Sequence, residues 1–124
     1  MYLQRGTHAF VAENKKLLVL KPANLYGGKD VFLGPETDQE TWELIINKHL
    51  HDESWIVQEY VNIPHDLYPV VQKGLKLEFK KVNINPFALL EKYSGSITRV
   101  SDNSVINVST GSGLVPTMCA KRIK

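Results

Sequence analysis

The chain has a single cysteine, Cys119, which excludes an internal disulfide and any zinc site built from thiolates. A lone thiol fits a reducing compartment. No apolar run approaches the roughly 20 residues that span a bilayer. The N-terminal MYLQRGTHAFVAENKK lacks the apolar stretch of a secretory signal. Together these absences predict a cytoplasmic protein with no membrane segment, in which Asn107-Val108-Ser109 is a chance glycosylation sequon. Charge of one sign is also scarce. The net charge is +2, and Lys15-Lys16, Lys80-Lys81 and the C-terminal KRIK are short groups separated by acidic residues. Without a clustered basic face the chain is no nucleic-acid module, and KRIK reads as a solvated end.

What is present is an ordinary globular composition. Hydrophobic residues make up 43% of 124 and charged residues 23%, enough for a core and too balanced for disorder. No repeat, low-complexity tract or linker divides the sequence, so residues 1–124 are expected to form a single domain. Residues 2–14 have helical amphipathicity, weakened by Gly6. Leu17 to Leu20 is an apolar run of buried-strand type closed by Lys21-Pro22, and Val31 to Leu33 resumes as a strand. The loop between them carries Gly27-Gly28-Lys29, and the whole reads as a β-hairpin.

Thr37 and Glu40 have capping-box spacing. Trp42, Ile45, Ile46, His49 and Leu50 then recur at helical spacing on one face. His49 there is expected to be tucked into the core. His51 alternates away and His65 lies in a distant loop, so the histidines do not match a zinc pattern. WIVQEYV (Trp55 to Val61) has strand composition, ended by the proline-bearing loop NIPHDLYP. Three more strands are expected in LKLEFKKVNI, GSITRVS and SVINVS, with turns at Gly95, Asp102-Asn103 and Gly111-Ser112-Gly113. The fold class is α+β, a mostly antiparallel sheet with one or two packed helices.

Three stretches bear on chemistry. LLVLKPANLYGGKDVFLG is no Walker loop, since Gly28-Lys29 is followed by Asp30 and a strand. A strand-end lysine facing glycines still suits phosphate, because the ammonium is a point charge and glycine lets backbone N–H groups approach. The plainer alternative is a hairpin with an exposed lysine. Gln58-Glu59-Tyr60-Val61, at a strand end, offers main-chain groups of the kind that bind an adenine edge. Arg99, in a run rich in glycine and hydroxyl residues, either clamps a phosphate with its planar fork or pairs with Asp102 at the surface.

In order, LVLKPANLYGGKDVFLG, ETDQETWE, IVQEYVNIP, NINPFALLEKYSGSITRVSD and INVSTGSGLVPT resemble the C-terminal part of the circularly permuted ATP-grasp family, whose better-known members are glutathionylspermidine-synthase-like ligases. The resemblance runs from about Leu17 to Thr117 and implies a partial ATP-grasp fold. It also implies the ATP-binding portion of an ATP-dependent carboxylate–amine ligase, which forms an acyl phosphate for an amine to attack. On that analogy Lys21 contacts the ATP phosphates, and Gly27, Gly28 and Lys29 fold over them. Gln58, Glu59 and Val61 line the adenine and ribose pocket, Arg99 stabilises the transferring phosphoryl group, and Asn107 lies in a family-like stretch. The family's magnesium ligands precede the Lys-Pro strand, where this chain has only Glu13 as a carboxylate. Glu78, Asn83 and Asn85 mimic a metal set but read better as structural polar residues, so no metal residue is assigned. Magnesium would act only in the complete enzyme, and the chain is expected to be a C-terminal fragment incomplete for catalysis. Its partners would be ATP and either the missing N-terminal ATP-grasp segment or a second copy joined through an open sheet edge. The competing expectation is a non-catalytic interaction or dimerisation domain with a degenerate ATP-grasp lobe.

Overall fold

The computed structural model describes residues 5–49, 52–71 and 73–118, and the chain divides after Asn62 into two compact units, Met1–Asn62 and Ile63–Lys124. Leu50, His51, Cys119 and the KRIK end lie outside the described residues. The class is α+β as expected, with one antiparallel sheet in each unit. Among the described residues no helix is long and apolar enough to cross a membrane.

In the first unit the apolar run becomes the central strand β1 (Leu18–Pro22), flanked antiparallel by β2 (Phe32–Leu33) and β3 (Trp55–Glu59). Val19 pairs with Leu33 and Leu20 with Phe32, so the hairpin is as read. Strand alternation separates the two faces. Leu18, Leu20, Trp55 and Val57 pack with Val11 of α1 (Arg5–Glu13) and with Trp42, Ile45 and Ile46 of α2 (Gln39–His49). Val19, Lys21, Ile56 and Gln58 belong to the opposite face. The Trp42 indole N–H donates to the Val11 carbonyl at 3.0 Å and ties the two helices. The His49 ring stacks on Trp55 at a centroid distance of 4.0 Å, with Nδ1 3.3 Å from Asp52 Oδ2. It is a packed side chain.

The start of α2 differs from the expected capping box. Asp38, not Thr37, caps the helix: its Oδ1 accepts the Thr41 N–H at 2.8 Å and its carbonyl accepts the Trp42 N–H at 3.1 Å. The Thr37 hydroxyl instead donates to the Leu33 carbonyl at 2.8 Å, at the end of β2. A carboxylate is the stronger acceptor for an amide of the first turn, where the helix dipole also favours negative charge. The Thr41 N–H, and then its hydroxyl, hold the Asp38 carboxyl below its usual value of 3.8. A carboxyl depressed on folding stabilises fully above its unfolded value, and the contribution is lost as pH falls through the folded value. Asp38→Ala is therefore expected to lower the urea midpoint at neutral pH, with the difference from wild type vanishing on acidification below 3.8. A difference independent of pH would show that the charge of Asp38 does not carry the cap.

The second unit is a meander of β4 (His65–Val71), β5 (Leu75–Leu89), β6 (Lys92–Ser101) and β7 (Gly113–Val115), in that spatial order. Three expectations need correction. The supposed loop HDLYP is strand from His65 on, because Pro69 sits on an edge strand where a missing donor is tolerated. The turn between β5 and β6 is at Leu90-Glu91, with φ of 49° and 63°, not at Gly95. Those left-handed angles match the strand twist of a two-residue hairpin. Gly95, with φ of 127°, lies within β6 opposite Phe87, beside the register shift. Finally, SVINVS forms bends and a 3-10 turn at Val108–Thr110 instead of a strand. The Asn107 side chain accepts the Ser109 N–H at 3.1 Å, a local bond that competes with a sheet ladder.

Candidate functional site

In the first unit the residues expected to hold a nucleotide sit on β1, on β3 and in the loop that leaves β1. Lys21 pairs across the sheet with Ile56 and Gln58 pairs with Val19, so Lys21 and Gln58 are diagonal neighbours on the face away from the helices. Lys21 is half-buried and Gln58 exposed. Glu59 follows on the other side of the strand opposite Leu18, and Val61 stands beyond the strand, 71% exposed. Gly27 and Gly28 have φ of 76° and 74°, consecutive left-handed residues that a side chain would strain. Lys29 is exposed, its ammonium 5.8 Å from the centre of the Tyr26 ring.

The same loop also walls a cavity of about 290 Å³ on the helix side, lined among others by Pro22, Leu25, Asp30, Phe32, His49 and Trp55. Lys21 does not line it, as alternation along β1 requires. Beneath it the Ser54 hydroxyl and N–H hold the Asp52 carboxyl below its usual range.

In the second unit Arg99 stands in β6 between Asn83 of β5 and Leu114 of β7. Its pairing with Asp102, one of the two readings above, does not occur. Lys80 Nζ donates to both Asp102 oxygens at 2.8 and 2.9 Å and meets Glu78 at 2.9 Å. Asp102, and then Glu78, push the Lys80 ammonium above its usual range. Parity explains the choice: Arg99 and Ser101 share one face of β6, so a residue one step beyond Ser101 turns to the other, where Lys80 and Glu78 lie. Arg99 Nε is buried and has no hydrogen-bond partner.

Lys81, Asn83 and Asn85 share the Arg99 face by register. The Lys81 ammonium donates to the Ser104 hydroxyl, and the Asn85 amide donates to Asn83 Oδ1. Sequence reasoning passed over Lys81 and Asn83 as neighbours of Arg99. The two-residue spacing in KKVNIN was the available signal. Glu78 is on the opposite face from Asn83 and Asn85, so the apparent metal set is split. Among the described residues no group of three or more His, Cys, Asp or Glu could hold a metal ion. Asn107 takes a backbone role as well: its carbonyl accepts the Ser112 N–H at 3.1 Å.

A scan against protein-family models gives no match, and a search of curated proteins gives none.

Proposed function

We propose that the chain is the ATP-binding portion of an ATP-dependent carboxylate–amine ligase of the circularly permuted ATP-grasp type, incomplete for catalysis here. The observation that carries this is the placement of Lys21 on the helix-free sheet face, diagonal to Gln58 and at the end of the strand whose following loop holds two left-handed glycines. An ammonium at a strand end suits phosphate oxygens, and a glycine loop folded over them would let backbone N–H groups approach. Gln58, Glu59 and Val61 would receive the adenine and ribose. Arg99, with its unpaired buried Nε, would stabilise the transferring phosphoryl group, as the resemblance implies. In that step the carboxylate oxygen would bond to the γ-phosphorus while the β–γ bond breaks with its electron pair on the bridging oxygen of ADP. Asn107 would act by shaping the backbone around it. The described residues do not fit magnesium, so no step is assigned to a metal; a complete enzyme would supply its ligands from elsewhere. Its location would be the cytoplasm, which supplies ATP and a reducing setting that suits a lone cysteine.

Calorimetric titration of ATP, with and without magnesium, tests this on the wild type and on Lys21→Ala. Weak binding is expected, reduced tenfold or more by Lys21→Ala, since a hydrogen bond to a charged group contributes about 1.5–3 kcal/mol. Absence of binding at millimolar ATP would overturn the proposal. The second reading, an interaction domain with no nucleotide role, is favoured by one observation, the thin core of the second unit.

A further inference from the structure

The second unit leaves its apolar residues outside. Among its described residues Val82 is the one buried hydrophobic side chain, whereas Leu67, Val71, Leu75, Leu77 and Phe79 are 47% to 79% exposed. The β4–β5 register gathers the exposed set. Leu67 faces Phe79, Pro69 faces Leu77 and Val71 faces Leu75, which places all six on one side of the hairpin. The sheet edge on the β4 side, by contrast, is blocked. The Val82 N–H donates to the Pro64 carbonyl at 2.8 Å, so even-numbered residues of β5 direct their backbone groups toward the β4 side. Odd-numbered residues of β4 then direct theirs to the outer edge, and Pro69 is one of them. Past Val82 the β5 edge has no β4 partner, and Pro86 occupies one of its outward positions. Both stretches of this edge thus lack a donor in mid-run, a device that prevents strand addition there.

We propose that this apolar face, and not the β4-side edge, docks onto the same face of a second copy of the chain. The five large side chains expose on the order of 600 Å² per copy, so a pair would bury about 1,200 Å², the lower bound of a stable interface. Isologous packing of two such sheets keeps their strands roughly aligned and interdigitates the inner side chains. Charge selects the orientation. Lys81 and Arg99 lie toward one end of the face and the Val71–Leu75 turn at the other. A two-fold axis across the strands sets the cations of one copy apart from those of its mate, while an axis along the strands would stack them. Leu77, midway along the apolar stripe, then meets its own equivalent near the axis.

Sedimentation of the full chain up to about 100 µM reads the interface, which at this size supports micromolar association or tighter. The wild type is expected to run as a dimer. Leu77→Glu, with both copies changed at the centre, should weaken association about a thousandfold and leave a monomer. Ile84→Glu, 61% exposed on the opposite face, should leave the dimer intact. Should Leu77→Glu lose its sheet circular dichroism, Val71→Lys, at 79% exposed, decides by the same criterion. A monomeric wild type, a dimer indifferent to these changes on the apolar face, or dissociation by Ile84→Glu would overturn the proposal. ATP enters none of these measurements, so the interface and the ligase reading stand or fall separately.

Discussion

Gly34→Ala is expected to destabilise the first unit by about 3 kcal/mol or more, at or above the top of the usual range for overpacking. Gly34 begins the 3-10 turn that follows β2, and it is buried. A Cβ added there would stand 1.7 Å from the Lys15 carbonyl oxygen, 2.6 Å from its carbon and 2.8 Å from the Leu18 oxygen. All three obstacles are backbone atoms, so no rotamer change relieves the overlap. The alanine must push apart the Gly34–Glu36 turn and the segment Lys15–Leu18 that leads into the central strand. Small domains have about 5–15 kcal/mol of stability in total, so much of the first unit's margin would be lost. Both tryptophans of the chain, Trp42 and Trp55, lie in this unit, so their fluorescence in a urea titration reports it selectively. A wild-type midpoint for Gly34→Ala would mean that the close approach of turn and strand can relax without loss.

Trp42→Ala is expected to cost about 3–5 kcal/mol, the range for emptying a fully buried aromatic site. Trp42 is 0% exposed at the centre of the helix–sheet core. Its removal also strips the Val11 carbonyl of the indole donor 3.0 Å away, near the end of α1. Trp42→Phe separates the contributions, since it keeps most of the ring volume and loses the donor. It should cost about 1–3 kcal/mol, the penalty of an unsatisfied buried acceptor. Trp55 fluorescence follows unfolding in both variants. Equal losses for alanine and phenylalanine would assign the effect to the hydrogen bond and not to packing.

Legibility in the sequence followed the range of the interactions. The strand at Leu18–Pro22, its hairpin and the buried stripe Trp42, Ile45, Ile46 were readable because apolar periodicity reflects one buried face. The cap at Asp38 was missed because two adjacent residues competed for the same amides, and only the nearby Leu33 carbonyl drew Thr37 away. The turn at Leu90-Glu91 had no signature, since neither residue favours a positive φ and the hairpin imposes it. At the candidate site the shared face of Lys21 and Gln58 follows from strand alternation once the register is known. The release of Arg99 from Asp102 depended on the face to which a residue just past a strand end turned, and on Lys80 waiting there.

The order of strands in the two sheets sets different routes to the folded state. In the second unit every pairing joins strands consecutive in sequence, from β4 through β7. Such a sheet can zip from turn to turn, each step closing a short loop at small entropic expense. In the first unit β1 pairs with β3, so Pro22 must meet Trp55 before the central sheet exists. That closure fixes the ends of a long segment which itself contains α2 and most of the residues that bury Trp42. The first unit is therefore expected to form late and cooperatively. The second can assemble early, with most of its apolar side chains still facing water.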